Sequence, residues 1–168
     1  MTISMYQASV PVCVRMLTQL SSILEKGEAH ALARKIDPAV LVNSRLAPDM
    51  FPLSRQIQIA CDTAKGCGAR LAGIEIPAYA DTESSFAELR TRIQKTLDFL
   101  KTVTAAQIDG SEDRPVALKI RGNMVTLSGQ IYLLQHALPN LFFHATTAYA
   151  ILRHCGVEIG KPDYLGKF

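Results

Sequence analysis

The sequence predicts an all-α four-helix bundle, on three observations. Three segments carry apolar residues that step by 4, 3, 4, 3, 4, and a fourth steps by 3, 4, 4, 3. Such steps hold the apolar side chains on one narrow edge of a helix, the seam that neighbouring helices share. Only one short stretch alternates with the period of a strand. The chain of 168 residues is 48% hydrophobic and 20% charged, a composition that suits a globular core of ordinary domain size.

In the first segment the seam is Tyr6, Val10, Cys13, Leu17, Leu20 and Leu24. Pro11 fits a first turn, where its missing N–H costs nothing, so the helix is expected to start near Ser9. The "EKGE" around Gly27 is expected to end or break it. A long crossover comes next, and Asp37 before Pro38 reads as the cap and first turn of a short helix within it. The second long helix carries Leu53, Ile57, Ala60, Ala64, Cys67 and Leu71, with Gly73 as its stop. In the third, Ser85 and Glu88 are spaced as a capping box around a seam of Phe86, Leu89, Ile93, Leu97 and Leu100.

"RPVALKIRGNMVTLSG" interrupts the helical period. Val116, Leu118 and Ile120 alternate, "RGN" is a turn, and Val125 and Leu127 alternate again, giving a small β-hairpin before the last helix. Ser128 or Thr126 is placed to cap that helix. It is expected from about Gln130 to His154, with a seam of Leu134, Leu138, Leu141, Ala145, Ala148 and Leu152. Pro139 is expected to kink it and Gly156 to stop it. No repeat or linker divides the chain, so residues 1–168 are read as a single domain.

The net charge is +3, with 18 basic and 15 acidic residues, and the basic residues are scattered. No nucleic-acid footprint arises from that pattern. No stretch approaches the ~18 uninterrupted apolar residues of a membrane span, and the start shows no basic leader and compact apolar core. Cys13, Cys61, Cys67 and Cys155 form no CxxC pair and read as free thiols. A cytoplasmic protein with no membrane or nucleic-acid partner is the expectation.

Helix geometry tests the four histidines as metal ligands. His136 and His154 share a face but stand about 27 Å apart along the axis. His136 and His144 are about 12 Å apart and roughly 80° out of phase. Neither pair can share a zinc ion, whose ligands sit about 2.0–2.1 Å from it. His144 is left as a buried imidazole bonded to another helix, as a pocket acid or base, or as a single metal ligand. His154 and His136 are expected at the solvent side or a helix end, and His30 in the crossover. Asp62 and Lys65 read as a surface ion pair, and Arg55, Gln58 and Asp62 line up on one side of the second long helix. Gly66 and Gly68, in "GCGARLAG", read as close-packing positions rather than a phosphate loop.

The stretches "MYQASVPV", "LAPDMFPLSRQIQIACDTAKG", "RLAG" and "ALPNLFFHATTAYAILRHCGVEIGKPDYLG" resemble a domain-of-unknown-function family, number nineteen-ninety-three, over nearly the whole chain. That family is placed in the DinB-like (DinB/YfiT-like) superfamily of four-helix bundles. The resemblance implies the same all-α fold and brings metalloenzymes into view: many DinB-like proteins hold a divalent ion such as zinc or nickel on three histidines. One of those histidines lies on the second helix and two at one-turn spacing on a later one. Characterised relatives include thiol-dependent transferases and hydrolases. This sequence departs from the pattern, because its second long helix has no histidine and His144 has only Asn140 and Ala148 one turn away. The expectation is therefore no cofactor, with a metal-dependent transferase or hydrolase as the alternative. Two further expectations stand beside it. One is a small-molecule ligand at one end of the bundle, near His144, Asn140, Tyr149 and Asp62. The other is a non-catalytic homodimer, as relatives often form through helix faces, with Phe142, Phe143 and Tyr132 as contacts.

Overall fold

The computed structural model describes residues 2–120 and 122–167. Its elements are α1 (Met5–Ala33), α2 (Pro38–Val42), α3 (Leu53–Ala72), α4 (Phe86–Thr102), α5 (Ala105–Ile108), β1 (Pro115–Ile120) and β2 (Asn123–Ser128). The short α6 (Gly129–Ile131) then leads through a π turn (Tyr132–Ala137) into α7 (Leu138–His154), and α8 (Lys161–Leu165) comes last. The long helices α1, α3, α4 and α7 form the bundle. Their buried side chains, with those of α2, α5 and β1, join in one apolar cluster.

Helix directions are fixed by which residues meet. Gln56 and Thr63 of α3 bond His144 and Asn140 of α7, so these two helices are antiparallel. Asp62 of α3 meets Arg92 of α4, and Gly68 lies beside Leu100 and Val103, so α3 and α4 are parallel. Gly27 of α1 touches both Phe86 and Leu152, the start of α4 and the end of α7. Helices α1 and α7 thus run one way and α3 and α4 the other. A parallel neighbour requires a return path, and residues 74–85 provide it along the outside of the bundle. This strap contains no buried residue.

The caps explain most boundaries. Ser85 and Glu88 form the capping box of α4, and Asp37 accepts from the Ala39 N–H at the start of α2. At the end of α3, Gly73 adopts φ +69°, its N–H bonds Arg70 and the next N–H bonds Ala69. The same pair of reversed bonds closes α7, where Gly156 has φ +87° and Val157 bonds back to Leu152. Both are left-handed glycine caps, which satisfy carbonyls that the helix leaves open. The hairpin pairs Val116 with Leu127 and Leu118 with Val125. Of the "RGN" turn, Arg121 lies outside the described residues.

Three expectations need correction. Helix α1 begins at Met5, capped by a Ser4–Gln7 box, and not near Ser9. Pro11 sits inside it on the exposed side, where the Gln7 carbonyl it fails to bond can reach water. Gly27 does not break the helix. A Cβ there would lie 3.1 Å from both Leu152 and Phe86, so the residue is a contact point for two helices. His30 consequently lies in the last turn of α1 and not in the crossover.

The third correction concerns the last helix. The π turn ahead of Pro139 carries an extra residue and shifts the phase of everything before it. The seam therefore runs Leu133, Ala137, Leu141, Ala145, Ala148 and Leu152. Leu134 is 52% exposed, and Leu138 is only half-buried. A proline that cannot donate to the previous turn is accommodated by widening that turn.

Candidate functional site

The polar line of α3 divides between two neighbours. On the α7 side, Gln56 donates through Nε2 to the Phe51 carbonyl, so its amide oxygen faces His144 Nδ1 at 2.7 Å. An amide oxygen only accepts, which places the imidazole proton on Nδ1 and leaves Nε2 an acceptor. Burial holds the His144 pKa below its ordinary value, and the Arg55 charge lowers it further. The ring also meets the edge of Phe143. Asn140, one turn earlier, donates to Thr63 at 2.8 Å. Both residues bind α7 to α3.

On the other side, α3 faces α4 and the strap. Arg92 of α4 has a side chain only 1% exposed. Its Nη2 lies 2.9 Å from Asp62 and 2.9 Å from Asp81, and its Nη1 lies 3.1 Å from Glu83. Nη1 also donates to the Ala80 carbonyl at 2.9 Å. Burial opposes the charge, but the Glu83 hydrogen bond and the Asp62 and Glu83 charges outweigh it, so the Arg92 pKa is raised. Its Nε is buried without an acceptor.

The cluster extends through α3. Arg55 pairs with Asp81 and donates to Gln58, and Gln58 donates to Glu83. Lys65 pairs with Asp62 at 3.0 Å and lies 3.9 Å over the Tyr79 ring. The expected surface pair is thus half wrong, because the Lys65 side chain is only 5% exposed. A lysine enters such a place when a carboxylate and an aromatic face replace its water. Between the strap and α4 lies a cavity of about 340 Å³, lined by Tyr79, Thr82, Glu83, Thr91, Arg92 and Lys95 among others. Cys61, near Thr96 behind this cluster, is buried and its thiol is pushed up to about 12, which leaves it protonated.

The four residues expected at one ligand site occupy three places. Asp62 belongs to the Arg92 cluster, His144 and Asn140 to the α3–α7 contact, and Tyr149 packs edge-on to Tyr164 of α8. Sequence reasoning missed Arg92, Asp81 and Glu83. Only the α3 line of Arg55, Gln58 and Asp62 signalled them, since their partners lie on other segments. Tyr132 is 2% exposed and takes a hydrogen bond from Arg70, so it is not available as a dimer contact.

The residues present do not fit the three-histidine metal group. His136 stacks on Tyr132, His154 is exposed at the end of α7, and His30 lies beside Gly156. The polar partner of His144 is the Gln56 amide. Among the described residues, no three His, Cys, Asp or Glu side chains are placed to hold an ion. The three carboxylates that do converge surround a guanidinium. Among the described residues, too, no helix is long and apolar enough to cross a membrane.

Comparison with known proteins places this geometry. A search of curated proteins gives no match. The solved structure of a DinB family member protein from Shewanella denitrificans is 45% identical, with a TM-score of 0.88, over 97% of this chain and 92% of that one. The family model described as "Domain of unknown function (DUF1993)" matches residues 5–165. The chain belongs to that family, and its fold is DinB-like.

Proposed function

We propose that this DinB-like protein binds a small polar molecule in the cavity between the strap and α4, without a three-histidine metal. The observation that carries the reading is the cavity itself. Its volume of about 340 Å³ falls within the usual range for ligand pockets, and its wall combines an aromatic face with charged and hydroxyl groups. Asp62 supports that wall from behind through Arg92. His144 and Asn140 serve the α3–α7 contact in this reading. Residues 1–168 act as one domain, and four free thiols suit a cytoplasmic location.

Ligand-observed NMR with a panel of small polar metabolites tests the proposal. Wild type is expected to give hits that Thr91→Trp, which fills the cavity, loses. A panel with no hits, or hits that survive the tryptophan, overturns it. Elemental analysis of protein purified without added metal is expected to show no stoichiometric ion. Zinc, nickel or iron that disappears in His144→Ala would restore the metal-dependent transferase or hydrolase.

A second reading, a homodimer, is favoured by one feature of the last helix. Residues 129–152 contain no Lys, Arg, Asp or Glu, yet Ile131, Leu134, Phe142 and Phe143 are exposed. Interface centres are depleted in charge and enriched in aromatic residues. Light scattering on the purified protein reads the mass directly, and a monomer at all concentrations removes this reading.

A further inference from the structure

The strap is attached in an unusual way. None of residues 74–85 is buried, so apolar packing contributes little to holding it. Its attachments are polar: Asp81 and Glu83 to Arg92, Asp81 to Arg55, Glu83 to Gln58, the Ala80 carbonyl to Arg92, and Tyr79 over Lys65. The cations all stand on α3 and α4, whose backbones are fixed by the bundle core. Without the strap, Arg55, Lys65 and Arg92 would face a single helix-borne carboxylate of the cluster, Asp62.

We propose that Arg55, Lys65 and Arg92 form an oxyanion-binding site that the strap carboxylates Asp81 and Glu83 occupy as internal competitors. A small molecule bearing a phosphate or carboxylate group displaces them. The inference rests on the small-molecule reading above and names the chemical class of the ligand and the element that regulates its entry. A guanidinium fork matches two oxygens of such a group, and an ammonium adds a point charge. The strap fills this site incompletely. It satisfies Nη1 and Nη2 of Arg92 but leaves the buried Nε without an acceptor. The adjoining cavity, with Thr91 and Lys95 on its wall, has room for the remainder of the molecule.

Displacement exchanges one set of ion pairs for another, so binding to wild type is weakened by the strap's own occupancy. Neutralising the strap removes the competitor while leaving the cations in place. Isothermal titration with inorganic phosphate and, separately, with succinate is the measurement. Asp81→Asn/Glu83→Gln is expected to bind at least one of them about tenfold or more tightly than wild type, a change of about 1.4 kcal/mol. Adding Arg92→Gln is expected to abolish the gain. Phosphate alone binding identifies a phosphoryl ligand, succinate alone a carboxylate, and both a general oxyanion site.

A second measurement uses wild type and does not depend on the variant folding. A protease that cuts after glutamate is expected to cleave at Glu75 and Glu83 faster as phosphate or succinate is added, but not with sodium chloride at equal ionic strength. Cleavage that tracks ionic strength alone would mean that salt merely screens the pairs, and overturns the proposal. So does a folded double variant whose affinity for both anions equals that of wild type. If the anions fail while Thr91→Trp still abolishes metabolite binding, the oxyanion site is lost and the cavity reading stands.

Discussion

Arg92 of α4 and Asp62 of α3 meet at 2.9 Å across the parallel helix pair, and Asp62 turns the same oxygen toward Lys65 at 3.0 Å. One carboxylate thus serves two buried cations, while Asp81 and Glu83 approach the guanidinium from the strap. The arrangement makes Arg92 the residue on which three chain segments depend.

Replacing Arg92 with Met is expected to destabilise the protein by about 1.5–3 kcal/mol in urea denaturation, the range for hydrogen bonds to charged groups. Removing one partner of a fully buried ion pair costs more, roughly 3–5 kcal/mol. Here each carboxylate keeps another partner: Asp62 has Lys65, Asp81 has Arg55 and Glu83 has Gln58. Two of them are also 40% exposed and can be hydrated. A loss as large as the buried-pair figure would mean that these secondary contacts do not hold once the guanidinium is gone.

His144 gives the protein a pH dependence of known sign. Its folded pKa is lowered by burial and by Arg55, so the unfolded chain binds the proton more readily. The contribution is fully present above the ordinary value of 6.5 and is lost as pH falls from there toward the folded pKa. Unfolding free energies of wild type should therefore drop below about pH 6.5 more steeply than those of His144→Gln. Parallel curves for the two proteins would show that the imidazole is not held neutral in the fold.

The helical seams were legible because a 3.6-residue period needs no partner to be seen. The Ser85–Glu88 box and Gly73 were legible because caps are local chemistry. Gly27 misleads for the opposite reason: a glycine that ends a helix and one that admits two neighbours look alike until Leu152 and Phe86 are placed. The π turn left only Pro139 as a trace, and the shift it introduces exchanged Leu134 for Leu133 in the core. The Arg92 cluster was hidden in another way. Its charges come from α3, α4 and an irregular strap, and no spacing rule relates residues across such elements.

Gly129 marks the closest backbone approach among the glycines of the fold. A Cβ there would fall on the Ser111 carbonyl oxygen, with Leu71 also in the way. The neighbour is main chain and cannot rotate aside. Gly129→Ala is therefore expected to cost at least about 2 kcal/mol by thermal or urea denaturation, within the range for overpacking. A neutral effect would require the 111–114 turn to shift without losing its Gln130-to-Glu112 backbone bond.

Phe142 and Phe143 separate the homodimer from a plain exposed surface. They are 38% and 57% exposed on a helix with no formal charge between residues 129 and 152. Phe143→Asp places a carboxylate at the more exposed of the two aromatic positions; it removes the ring that rests against His144 but none of the groups that make the α3–α7 hydrogen bonds. If this face is buried between two copies, desolvating that charge opposes association, and light scattering should show wild type as a dimer and the variant as a monomer. Its monomer should unfold with the same urea dependence as a folded domain, since the ring contributes little to the core. A wild-type dimer that Phe143→Asp leaves intact would move the contact to another surface.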